Sequence, residues 1–103
     1  DDEISQRVIV KPAITMYIPD AFTPNEDGVN ETFSGEGVGV DEYQMWIFDR
    51  WGENIFFSAS MNEPWDGTYK GQQVESGLYV YRITVIDVAQ EYHEFKGEVY
   101  LMR

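Results

Sequence analysis

Glycine or proline interrupts this chain every roughly ten to fifteen residues, and valine, isoleucine, tyrosine, phenylalanine and tryptophan fill the intervals between. That spacing leaves no room for an ordinary helix but suits short strands. "RVIVK" (7–11) and "AITMYI" (13–18) read as two short strands, or as one strand broken at Pro12, a residue that belongs at an edge or a crossing between sheets. "YQMWIFD" (43–49) is apolar on both parities, which predicts a central strand covered on both faces. "ENIFFS" (53–58) follows a turn near Arg50 to Gly52 and completes a hairpin. "GLYVYRITVID" (77–87) sets Tyr79, Tyr81, Ile83 and Val85 on one parity. In "EYHEFKGEVYLM" (91–102), His93, Phe95, Val99 and Leu101 alternate with Glu94, Lys96 and Glu98, and the two strands form a second hairpin around "DVAQE". The pattern predicts an all-β chain: a single immunoglobulin-like antiparallel β-sandwich of about seven strands, one compact domain overall.

A sandwich needs a core, and here composition matters. Hydrophobic residues make up 43% of the 103 positions and aromatics 16%, enough to fold despite the charge. No cysteine is present, so no disulfide staples the fold. With 19 acids against 7 bases the formal charge is −12, which repels nucleic acid and anionic lipid and favours cations or basic partners. No apolar run approaches the ~20 residues of a membrane span. The opening "DDEISQ" lacks the basic and apolar regions of a signal peptide, so an export signal is expected to lie outside this chain or to be of another kind.

Two stretches resist the regular reading. Residues 19–41 contain "FTPNEDGVN" and "SGEGVGV", and 59–77 carry Trp65 amid turn residues; loops that long are usually functional or otherwise organised. Asn25, Asp27 and Gly28 reproduce the middle of a calcium loop, but Thr23 and Ser34 stand where its first and twelfth ligands would be, which excludes an EF-hand. Two readings stay open. Asn25 and Asp27 make Asx-turns around a positive-φ Gly28, or Asn25, Asp27, Asn30 and Glu31 hold a cation, calcium being the candidate cofactor. "RWG" at 50–52 suggests a cation–π pair closing a hairpin, and Trp51 and Trp65, each beside a turn glycine, are expected to cap the core.

Nothing points to an enzyme. One histidine, no cysteine and no G-x-S-x-G leave no nucleophile–base–orienter set, and His93 on an apolar parity reads as structural. Carboxylate pairs are uninformative among so many acids.

Taken in order, the motifs resemble one family. "IPDAFTPNEDGVNETF", "YQMWIFDRWGENIFFS", "WDGTYKGQQVESGLYVYRITV" and "FKGEVYLMR" are similar to the gliding-motility-associated C-terminal domain, the type B sorting domain of the type IX secretion system in Bacteroidota. The positions that carry the resemblance are Pro24, Gly28, Arg50, Trp51, Gly52, Trp65, Asp66, Gly67, Gly77, Tyr79, Gly97, Leu101 and Arg103, as recognition or structural residues. Asp20, Glu31 and Asp49 depart from the family pattern but keep an oxygen acceptor. The resemblance implies a sorting domain over 18–103, with 1–17 a first strand or a linker from a cargo protein. It implies a signal that directs a large gliding or adhesion protein across the periplasm and outer membrane to the cell surface or medium. The implied partners are that cargo, the type IX translocon and a PorP/SprF-type outer-membrane protein. The alternative is a structural or adhesive immunoglobulin-like module, stabilised by calcium, akin to the small sandwich domains of flagellar hook-capping proteins.

Overall fold

A computed structural model describes residues 14–24, 28 and 31–103. The strand expected at 7–11 and the residues Asn25, Asp27 and Asn30 lie outside the described residues. Nine strands are described: β1 (Thr15–Tyr17), β2 (Ala21–Phe22), β3 (Glu36–Val38), β4 (Val40–Phe48), β5 (Asn54–Ser58), β6 (Thr68–Tyr69), β7 (Gln72–Gln73), β8 (Gly77–Asp87) and β9 (Tyr92–Leu101). The chain is all-β, with no helix among the described residues, and its several sheets are compatible with a β-sandwich.

One layer is a five-stranded sheet in the order β2-β9-β8-β4-β5. Its backbone is the long β8–β9 hairpin, in register from Tyr92 opposite Ile86 to Leu101 opposite Gly77. β9 alternates cleanly and β8 keeps its apolar core residues on one parity, although Thr84 on the other parity is buried too; a one-residue slip would turn those core side chains outward. Tyr79, Ile83, Val85, Val99 and Leu101 are buried on one face, joined by Tyr43, Met45 and Ile47 from β4 and Ile55 from β5. Two small ladders, β1–β3 and β6–β7, and the segments around them supply the other side of the core. The hydroxyl of Tyr43 accepts the Gly35 amide (3.0 Å), tying the covering segment to the sheet, and burial pushes that phenol's pKa up.

Three expectations need correction. The strand at 43–49 is not covered on both faces: Gln44 is exposed and Trp46 and Phe48 are half-buried. Trp46 shields its own ring instead, stacking on Phe57 (5.4 Å between centroids) and lying 5.0 Å from the Arg82 guanidinium. Nor is the sheet wholly antiparallel. β2 runs parallel to the end of β9, Ala21 beside Tyr100 and Phe22 beside Leu101. Finally, 19–41 and 59–77 are threaded with short strands, and a bridge joins Phe33 to Trp65 through two 2.8 Å backbone bonds. Pairs this brief satisfy buried peptide groups without needing a periodic pattern, so periodicity does not reveal them.

Trp65 is fully buried, with the rings of Phe22 and Tyr79 at 5.4 and 5.2 Å. Its indole N–H donates to the Thr68 carbonyl (3.0 Å), so a side chain in a polar stretch becomes the centre of the core with its polar atom satisfied. Trp51 is the reverse. It is 83% exposed and does not cap the core.

Candidate recognition surface

The last residue gathers the motifs. β9 delivers Leu101 into the core and leaves Arg103 at the mouth of three segments. The Arg103 guanidinium donates to the carbonyls of Val74 (3.1 Å), Pro24 (3.2 Å) and Gly67 (2.7 Å), and its backbone N–H donates to Ser76 Oγ (3.2 Å). A guanidinium offers five donors in a fixed fork, and here carbonyls rather than acids receive them. The parallel β2–β9 pairing continues alongside, with Tyr100 N–H on Asp20 O (2.8 Å) and Met102 N–H on Phe22 O (3.0 Å).

Gly67 makes the junction possible. Its φ of +84° suits a residue without Cβ, and a Cβ there would lie 3.1 Å from Arg103 Nη2, 3.1 Å from Leu101 Cδ1 and 3.3 Å from Pro24 Cγ. Asp66 shapes the approach by accepting Thr68 N–H (3.1 Å) and Thr68 Oγ1–H (2.7 Å). Gly97 serves a different contact: the Tyr81 phenol lies across it, its hydroxyl 2.6 Å from where a Cβ would be. Gly77 opens β8 opposite Leu101. Pro24, Trp65, Asp66, Gly67, Leu101 and Arg103, scattered in sequence, thus share one junction. The acceptors at Val74 and Ser76 carried no sequence signal, since Val74 accepts through a backbone carbonyl that every residue has and Ser76 through an ordinary serine hydroxyl.

Tyr79 links this junction to a second feature. Its ring packs edge-on against Trp65, and its hydroxyl donates to the Glu75 carbonyl (2.6 Å). Burial, then the Glu75 charge, pushes its pKa up. Beyond it, a cavity of about 300 Å³ opens between the β4–β5 turn and the β6–β7 hairpin. Asp49 Oδ1 accepts the N–H groups of Trp51 and Glu53 (2.9 Å each), and Gly52, at φ +83°, donates to Asp49 O (3.0 Å). The Arg50 guanidinium lies 6.0 Å from the Trp51 ring centroid and 3.3 Å from Glu75 Oε1. Across the cavity, Tyr69 donates to Glu53 Oε2 (3.1 Å).

Gly28, at φ +81°, donates its N–H to Glu31 Oε2 (2.5 Å). The other candidate cation ligands are outside the described residues, and among those described no three His, Asp or Glu side chains gather as a metal site. His93 Nε2 lies 2.7 Å from Asp87 Oδ2 in the β8–β9 hairpin, far along the strands from the Arg103 junction. No helix of the described residues is long and apolar enough to cross a membrane.

None of the curated proteins compared with the chain is similar enough to count as a relative. Among solved structures it is similar to CopC from Methylosinus trichosporium OB3b, at 16% identity and a TM-score of 0.48, covering 92% of this chain and 80% of that one. The family model described as the CHU_C type IX secretion signal domain matches residues 16–101, the span that holds the cleft and every junction residue except Arg103. The chain belongs to the CHU_C family of type IX secretion signal domains.

Proposed function

We propose that this domain, whose family marks a protein exported to the surface or secreted, works as a folded signal rather than as a linear tag. The observation that carries this reading is Arg103, whose side chain is spent on carbonyls of three distant segments. A receptor reading Arg103 in this form would also meet the Pro24 and Gly67 segments. The cargo is a gliding or adhesion protein N-terminal to the domain, and the receptor is an outer-membrane protein of the PorP/SprF type. On this reading the domain has no catalytic role, in keeping with one histidine, no cysteine and no nucleophile–base–orienter set in the sequence.

Fusion to a periplasmic reporter tests this. The 103-residue chain should export the reporter, and residues 92–103 alone should not. Equal export by the short peptide sinks the folded-signal reading, and an adhesive module would export nothing in either form.

A further inference from the structure

The cleft beside Trp51 meets the Arg103 junction only at Val74 and Tyr79, and its far side is organised separately. Leaving a tryptophan in water forgoes burial of on the order of 150–250 Å² of largely apolar surface. Here the exposure is enforced: two amides bonded to Asp49 Oδ1 hold the turn that carries the indole outward. The surroundings are acidic. Asp49, Glu53 and Glu75 line the cavity, and their internal bonds occupy one oxygen each, Oδ1 of Asp49, Oε2 of Glu53 and Oε1 of Glu75. Arg50 already displays the geometry of a bound cation, its guanidinium between the Trp51 ring and the Glu75 carboxylate. That ion pair is exposed on both sides, 60% and 83%, so it is weak and exchangeable. The −12 charge of the chain draws in cations and turns away anions.

We propose that this cleft docks a basic side chain, arginine or lysine, presented by an extended segment of a partner protein, with Trp51 as its platform and Glu53 and Glu75 as its counter-charges. The proposal rests on the secretion reading for its biology: the partner is a component of the export apparatus that carries the basic segment. A neutral sugar stacked on Trp51 is the rival occupant.

The purified 103-residue chain is titrated with the capped peptide acetyl-Gly-Arg-Gly-Arg-Gly-amide, its citrulline counterpart and a neutral hexasaccharide, following tryptophan fluorescence. The arginine peptide should bind, and binding should weaken about tenfold in Trp51→Ala and in the double variant Glu53→Gln/Glu75→Gln. It should also weaken as salt rises from about 50 to about 300 mM. Absence of arginine-peptide binding, binding equal to that of citrulline, binding unchanged in Trp51→Ala, or salt-independent binding of the sugar alone would each overturn the proposal. In the export assay, Trp51→Ala should melt like wild type and export about tenfold less reporter. Wild-type export with undiminished Trp51→Ala export removes the docking proposal and leaves the signal reading standing. Failure of the wild type to export removes the signal reading, and the peptide titration then decides the cleft by itself.

Discussion

The two tryptophans that flank turn glycines look alike in sequence and part company in space. Trp65 is wedged among Phe22, Phe33 and Tyr79, and Trp51 stands in solvent. What separates them is tertiary: a bridge to Phe33 pulls Trp65 inward, and the Asp49 turn pushes Trp51 outward. Neither cause is visible in local composition, which explains why both were read as core caps although only Trp65 is one. Trp65→Ala should therefore cost about 3–5 kcal/mol in chemical denaturation. Trp51→Ala should stay within about 0.5 kcal/mol of wild type, and a larger loss would mean the ring supports the fold after all. Asp87 contributes to the acid limit. Its carboxylate, 2% exposed, accepts the Glu91 amide (2.9 Å) and the Ala89 amide (2.8 Å) and lies against His93. The Glu91 amide first, then His93, hold its pKa below the usual carboxylate range, against burial that acts the other way. A carboxylate lowered in the fold contributes stability that is complete above its ordinary pKa and disappears as pH falls through the lowered value. The melting temperature should thus be flat near neutrality and fall below about pH 4, with Asp87→Asn less stable at neutral pH and flatter in acid. Parallel pH profiles for the two proteins would place the acid loss elsewhere.

At the scale of the element, β8 and β9 were readable to within a residue because each runs ten positions or more with its apolar core residues on one parity. The two-residue strands were not readable, since a period cannot show in two residues. The parallel pairing of β2 with β9 was hidden for another reason: it joins opposite ends of the sequence, and no turn signal advertises such a partner. The resemblance singled out Pro24, Gly67 and Arg103 but gave no sign that they touch. Arg103→Ala removes three charge-assisted bonds to carbonyls at a partly exposed site, so it should cost about 1–3 kcal/mol. Faster amide exchange should then appear at Met102, whose N–H bonds to Phe22 O, and at Val74, whose N–H bonds to Gly67 O. Unchanged exchange at both would show that the strands hold the junction without the guanidinium. Removing 99–103 takes Val99 and Leu101 from the core as well, and circular dichroism should show a chain that no longer melts cooperatively.

For the molecule as a whole, a charge of −12 on 103 residues means that self-repulsion works against compaction. Raising sodium chloride from about 20 to about 300 mM should raise the melting temperature by a few degrees, and a fall instead would mean that ion pairs such as Arg82–Glu94 outweigh the repulsion. The Arg103 junction also bears on the order of events as the chain folds. Arg103 and Pro24 are 79 positions apart, and the Tyr100–Ala21 pairing spans the same distance along the chain. Closing so long a loop costs entropy before any contact repays it, whereas the β8–β9 hairpin needs only a short turn. The hairpin can therefore nucleate early, and the junction is the seam that closes last. Until then the Pro24, Gly67 and Arg103 segments are strangers to one another, so a receptor that reads their arrangement distinguishes a finished domain from one still folding.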